Sequence, residues 1–195
     1  ELWHGPTCAF KDMALQILPY LLAVSSKKAN DGKEILILVA TSGDTGKAAL
    51  EGFKDKEGVS ITVFYPEDGV SAMQKRQMTS QEGANVNVCA IKGNFDDCQN
   101  GVKAIFTDKA VEEYLAENNI EFSSANSINW GRLAPQIVYY VSAYFDMGCP
   151  NEFNVVVPTG NFGNILAAYY AKQMGIPINK LICASNKNRV LTDFL

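Results

Sequence analysis

The feature that most constrains this chain is a repeated alternation: short β-branched runs, all but the last followed closely by a segment of helix length. The runs fall at residues 34–39, 60–65, 85–90, 121–123, 153–157 and 181–184. Helical stretches are predicted at 12–25, 47–56, 72–82, 96–117 with a possible break, 130–147 and 164–174. Strand-helix alternation of this kind predicts an α/β fold, with parallel strands joined by right-handed crossovers. Two of the runs, Ile35-Leu36-Ile37-Leu38-Val39 and Val155-Val156-Val157, are apolar without interruption. Strands of that sort are covered on both faces. Pro19 inside the first helix predicts a kink there. The polar segment at 25–32 is the best candidate for a crossing between two lobes, and a second is predicted near 147–151.

Composition narrows the function. Hydrophobic residues make up 47% and charged residues 19%, with a formal net charge of -4 and no basic block. A nucleic-acid or anionic-membrane partner is not expected. No apolar run approaches the roughly 18 residues a membrane helix needs. The five cysteines are scattered and odd in number, without Cys-x-x-Cys spacing, which fits reduced thiols in a cytoplasmic protein. His4 is the only histidine, so a multi-His metal site is excluded and no metal is expected. The chain starts and stops abruptly, and both ends read as cuts through a longer protein.

Ligands of open α/β sheets bind beyond the carboxyl ends of the strands, so the strand-to-helix loops matter most. Pro158-Thr159-Gly160-Asn161-Phe162-Gly163-Asn164 carries two glycines ahead of a helical run. That arrangement is suited to a phosphate held by backbone N–H groups at a helix start. It is equally consistent with a tight turn in which Asn164 caps the helix. Thr41-Ser42-Gly43-Asp44-Thr45-Gly46-Lys47 fails as a nucleotide P-loop, because it is too short and Ala48 stands where a Ser or Thr would hold magnesium. It suits a carboxylate, or is an ordinary turn capped by Asp44 or Thr45. Asn126, Asn129 and Arg132 lie in one short segment able to grip a phosphate, unless the Asn residues only form turns and Arg132 is a solvated first-turn charge. Lys11 sits among small, aromatic and turn residues just before a helix. Desolvation there would favour imine chemistry with an aldehyde, although a surface lysine would look the same by spacing. One lysine, one glycine-rich anion loop and no usable histidine together suit chemistry drawn from pyridoxal phosphate.

At these residues the chain resembles the threonine synthase family. His4-Gly5-Pro6-Thr7-Cys8-Ala9-Phe10-Lys11-Asp12 is similar to that family's lysine motif, with Cys8 where a larger apolar residue is usual. The segments Thr41 to Gly46, Gly69 to Gln74, Gly83 to Val86, Asn126 to Arg132, Thr159 to Asn164 and Ala184 to Asn188 follow in the family's order. The resemblance implies the tryptophan-synthase-β-like fold of pyridoxal enzymes, here cut at both ends. It implies conversion of O-phospho-L-homoserine and water to L-threonine and phosphate. Lys11 would carry the cofactor and move protons. Gly160, Asn161, Phe162, Gly163 and Asn164 would cradle its phosphate. Ser42, Gly43, Asp44 and Thr45 would hold the substrate carboxylate, with Asp44 also bordering the cofactor ring. Asn126, Asn129 and Arg132 would bind the substrate phosphate.

The implied organisation places 1–30 and 149–195 in a large lobe and 31–148 in a small one. Missing segments of the same protein would complete the site, so the 195 residues alone are expected to turn over poorly or not at all. Two other functions fit the same residues: a different enzyme of this fold, such as a threonine dehydratase or cysteine synthase, or a non-catalytic binder of phosphorylated ligands.

Overall fold

A computed structural model describes residues 1–29, 32–127, 129–158, 160–187, 189 and 193. The polar crossing at 25–32 falls partly outside these residues, as do Ile128, Thr159 and Asn188 of the predicted loops. The chain divides into two compact units, Glu1–Arg132 and Leu133–Leu195.

The first unit is built on a four-stranded parallel sheet: β1 (Glu34–Ala40), β2 (Val59–Pro66), β3 (Val86–Ile91) and β4 (Ile120–Ser124). Its order is β3-β2-β1-β4. The period of two along β1 and β2 divides their side chains between two cores. Ile35, Ile37 and Val39, with Ile61 and Val63, face Leu15 and Leu18 of α1 (Asp12–Ala29), Phe53 of α2 (Asp44–Phe53) and Met78 of α3 (Ala72–Thr79). Leu38 and Ala40, with Phe64 and Phe122, face Cys98 and Val102 of α4 (Phe95–Thr107). Of the two apolar runs expected to be covered on both faces, Ile35 to Val39 is covered in this way; Val155-Val156-Val157 is not, since Val156 is 62% exposed among the described residues. Pro19 lies buried inside α1 without ending it.

The long helix predicted at 96–117 is two. Asp108 closes α4 in extended conformation, and its carboxylate accepts from Ala110 and Val111 N–H to start α5 (Lys109–Glu117). At the amino end of β2 and β3, the Asn85 amide donates to the Phe53 and Val59 carbonyls at 2.8 Å and to Lys56 at 3.4 Å. Its oxygen accepts from Asp55 N–H at 2.7 Å.

The stretch predicted as one helix at 130–147 is also divided. It comprises α6 (Trp130–Leu133), a 3-10 turn at Ala134–Gln136 and α7 (Ile137–Asp146). Pro135 supplies no N–H, which accounts for the break. The second unit pairs β5 (Phe153–Pro158) with β6 (Ile178–Ala184) in parallel across α8 (Gly163–Gln173). Ala167, Ala168 and Ala171 of α8 pack with Tyr140 and Ile178 in its core. Strand β6 begins three residues before the apolar run that marks it in the sequence. Among the described residues no helix is long and apolar enough to cross a membrane.

Candidate active site

In the order β3-β2-β1-β4, the chain leaves β1 toward β2 on one side and returns with β4 on the other. The loops after β1 and β4 therefore diverge at a topological switch point, where open α/β sheets take their ligands. Both are loops singled out in the sequence. They are stitched together: Asn126 Nδ2 donates to the Ala40 carbonyl at 3.2 Å.

The β1 loop is wired through Thr41, whose side chain is buried. Its hydroxyl accepts from Gly43 N–H at 3.0 Å and Gly46 N–H at 2.9 Å, and donates to the Gly43 carbonyl. Helix α2 thus starts three residues before the sequence expectation. Its N-cap is Gly43, neither Asp44 nor Thr45, and a hydroxyl from further upstream satisfies the first turn. Ser42 and Asp44 are exposed, Gly43 is buried and Thr45 is half-buried.

Lys11 ends a strap organised by its neighbour. The buried Asp12 carboxylate accepts from Thr7 N–H at 3.0 Å, from Ala9 N–H at 3.3 Å and from the Thr7 hydroxyl. The Lys11 carbonyl accepts from Leu15 N–H and so opens α1. The Lys11 side chain is 22% exposed, and its Nζ lies 3.9 Å from Asp44 Oδ2. Burial pulls its proton affinity below that of an ordinary lysine; the Asp44 carboxylate acts against this and the Arg132 guanidinium with it. A lysine amine so placed is a nucleophile closer to neutrality than a solvated one.

Arg132 is 4% exposed, so it is not the solvated first-turn charge that its position in the sequence also allows. Burial brings its pKa down to about 10, which still leaves a cation at neutral pH. Its Nη1 donates to the Ala125 carbonyl. Asn129 Nδ2 donates to the Ser124 carbonyl at 2.8 Å and its oxygen accepts from Gly131 N–H. One N–H of each Asn amide thus holds the loop in shape, and each amide carries a second.

In the second unit, Gly160 (φ 47°) and Phe162 (φ 63°) both take the left-handed conformation ahead of α8. Phe162 is the N-cap and offers no side-chain cap, and a Cβ on Gly163 would meet open space. Asn161 is exposed, and Gly163 and Asn164 are half-buried. Asn164 does not cap the helix. Its amide donates to Gln136 Oε1 at 2.9 Å, and its oxygens receive the Tyr140 hydroxyl. Gln136 and Tyr140 were not singled out in the sequence, where both read as ordinary helix residues.

The model of the pyridoxal-phosphate dependent enzyme family matches residues 1–195. This chain belongs to that family. Among its relatives, threonine synthase-like 1 of Homo sapiens is 49% identical across the whole chain, which spans 28% of that protein. Threonine synthase of Pseudomonas aeruginosa is 47% identical, again across the whole chain and 40% of the relative. The crystal structure of pyridoxal-phosphate-bound threonine synthase from Brucella melitensis superposes with a TM-score of 0.85 at 45% identity, over 99% of this chain and 40% of that one. The chain therefore spans well under half the length of these relatives, and its fold is part of theirs. The residues present fit the family's cofactor: a desolvated amine for an aldehyde, and a helix start preceded by two left-handed residues for a phosphate.

Proposed function

We propose that the protein to which these residues belong converts O-phospho-L-homoserine and water to L-threonine and phosphate, with Lys11 as its reactive amine. The observation that carries this reading is the half-buried Lys11 amine at the β1/β4 switch point. Identity of 43–49% to threonine synthases and threonine synthase-like proteins across the whole chain supports it.

When bound, pyridoxal phosphate supplies an aldehyde for an amine and a sink for electrons from the substrate. Lys11 carries that group, then takes and returns protons at the substrate's α and β carbons. Backbone N–H groups of Gly160, Asn161, Phe162, Gly163 and Asn164 hold its phosphate at the start of α8. Ser42, Gly43, Asp44 and Thr45 hold the substrate carboxylate at the start of α2, with Asp44 beside the amine. Asn126 and Asn129 present their remaining N–H bonds to the substrate phosphate. Arg132, a cation in a poorly solvated setting, offsets the charge on that phosphate as it departs. A cytoplasmic location accords with the odd, scattered cysteines.

Absorption spectroscopy tests the reading. Added pyridoxal phosphate should give a visible band that Lys11→Ala removes, and a spectrum indifferent to that substitution refutes the assignment. Turnover of phosphohomoserine, compared with threonine and serine, separates this reaction from those of other enzymes of the fold.

A further inference from the structure

Gln74 reaches from α3 toward the β1 loop with both ends of its amide engaged. Its Oε1 accepts from Ser71 N–H at 3.2 Å and from the Ser71 hydroxyl at 3.0 Å. Gln74 N–H donates back to Ser71 Oγ, which completes a capping box at the start of α3. The other end does something no capping box needs: Nε2 donates to Asp44 Oδ1 at 2.8 Å. Gly43 makes the reach possible. Its φ is 153°, and a Cβ there would lie 2.3 Å from Gln74 Nε2. The second oxygen of the same carboxylate, Asp44 Oδ2, stands 3.9 Å from Lys11 Nζ.

A carboxylate free to approach an ammonium closes to roughly 2.7–2.9 Å and locks the proton in place. Here one oxygen is tethered by Gln74, and the other stops at the edge of contact. We infer that Gln74 is a positioning residue for Lys11, holding Asp44 back from the amine so that its neutral form remains available. The inference rests on Lys11 being the reactive amine. The charges acting on that amine are Asp44 from α2 and the Arg132 guanidinium from α6; the Asp12 carboxylate beside it is turned to Thr7 and Ala9.

Gln74→Glu separates positioning from capping. Glutamate completes a capping box as well as glutamine does, so α3 keeps its start. Toward Asp44, however, it exchanges a donor for a second negative charge. Gln74→Met loses all three side-chain hydrogen bonds and adds no charge. The readout is the Lys11 side-chain titration by NMR, without added cofactor, its resonance assigned by comparison with Lys11→Arg. In Gln74→Glu the ratio of protonated to neutral Lys11 at fixed pH should rise about threefold. In Gln74→Met it should move the same way, as Asp44 is released. Titrations of both variants that superimpose on the wild type overturn the inference and leave Gln74 a helix cap. If the ratio shifts as expected but Lys11→Ala leaves the pyridoxal phosphate spectrum unchanged, the Gln74 linkage stands and the cofactor reading falls.

Discussion

Asp44→Asn is the most direct probe of how the site sets its amine. The substitution keeps the shape of the side chain and an oxygen for Gln74, and removes one negative charge 3.9 Å from Lys11 Nζ. At that distance a pair of unit charges is worth about 4 kcal/mol in an effective dielectric of 20 and about 1 kcal/mol in water. The Asp44 side chain is 53% exposed, so the screened figure governs. About 1 kcal/mol is roughly a fivefold fall in the ratio of protonated to neutral Lys11 at fixed pH. Burial already lowers this lysine's proton affinity, and Asp44 is the group opposing it. Its removal therefore lowers the affinity further, and the pH profile of the band gained with pyridoxal phosphate should shift to lower pH. Raising the salt concentration should move the wild-type profile in the same direction. Stability should respond too. A lysine that binds its proton less well when folded makes stability rise with pH, between its lowered value and the ordinary 10.5. The Lys11–Asp44 part of what Asp44→Asn costs should be up to about 1 kcal/mol below that window and should vanish above it. A profile that stays put, or shifts to higher pH, would refute the electrostatic account of Lys11.

Two further outcomes follow from packing and hydrogen bonding. Phe53 is fully buried at the end of α2, and Phe53→Ala should cost about 3–5 kcal/mol in urea denaturation; a loss under about 1 kcal/mol would mean the core closes over the cavity unaided. Tyr140→Phe removes the hydroxyl that steadies Asn164, at a cost of about 0.5–1.5 kcal/mol, and should weaken binding of pyridoxal phosphate. Burial pushes the Tyr140 phenol up to about 12, so an alkaline absorbance titration should lose a component near that pH in that variant, and an unaltered titration would contradict the burial.

Much of the fold is visible in the residues because the signals are local. The uninterrupted apolar run of β1 and the period of two in β2 announce buried parallel strands. Asp108 and Pro135 interrupt helices by their own chemistry. Strand order is another matter: the pairing of β1 with both β2 and β4 joins residues some 25 and 85 positions apart, and no local pattern encodes it. The start of α2 is illegible for a related reason. Asp44 and Thr45 look like caps, but a hydroxyl upstream of Gly43 already serves. Arg132 can be read as a solvated first-turn charge because nothing in its short helix announces that it is buried. Ser71-x-x-Gln74 can be read as a capping box from spacing alone, whereas its bond to Asp44 depends on how two loops meet at the sheet's carboxyl edge.

The Asn85 side chain gives the opposite edge of that sheet a different character. One amide there serves three carbonyls and one N–H, drawn from the end of α2, the turn after it and the start of β2. Hydrolysis of that amide to a carboxylate, a common lesion of ageing proteins, would set anionic oxygen against three carbonyl dipoles with no proton to offer. Wear at this pedestal would loosen the β1–β2–β3 platform from beneath, while every residue assigned to chemistry at its far rim remained intact.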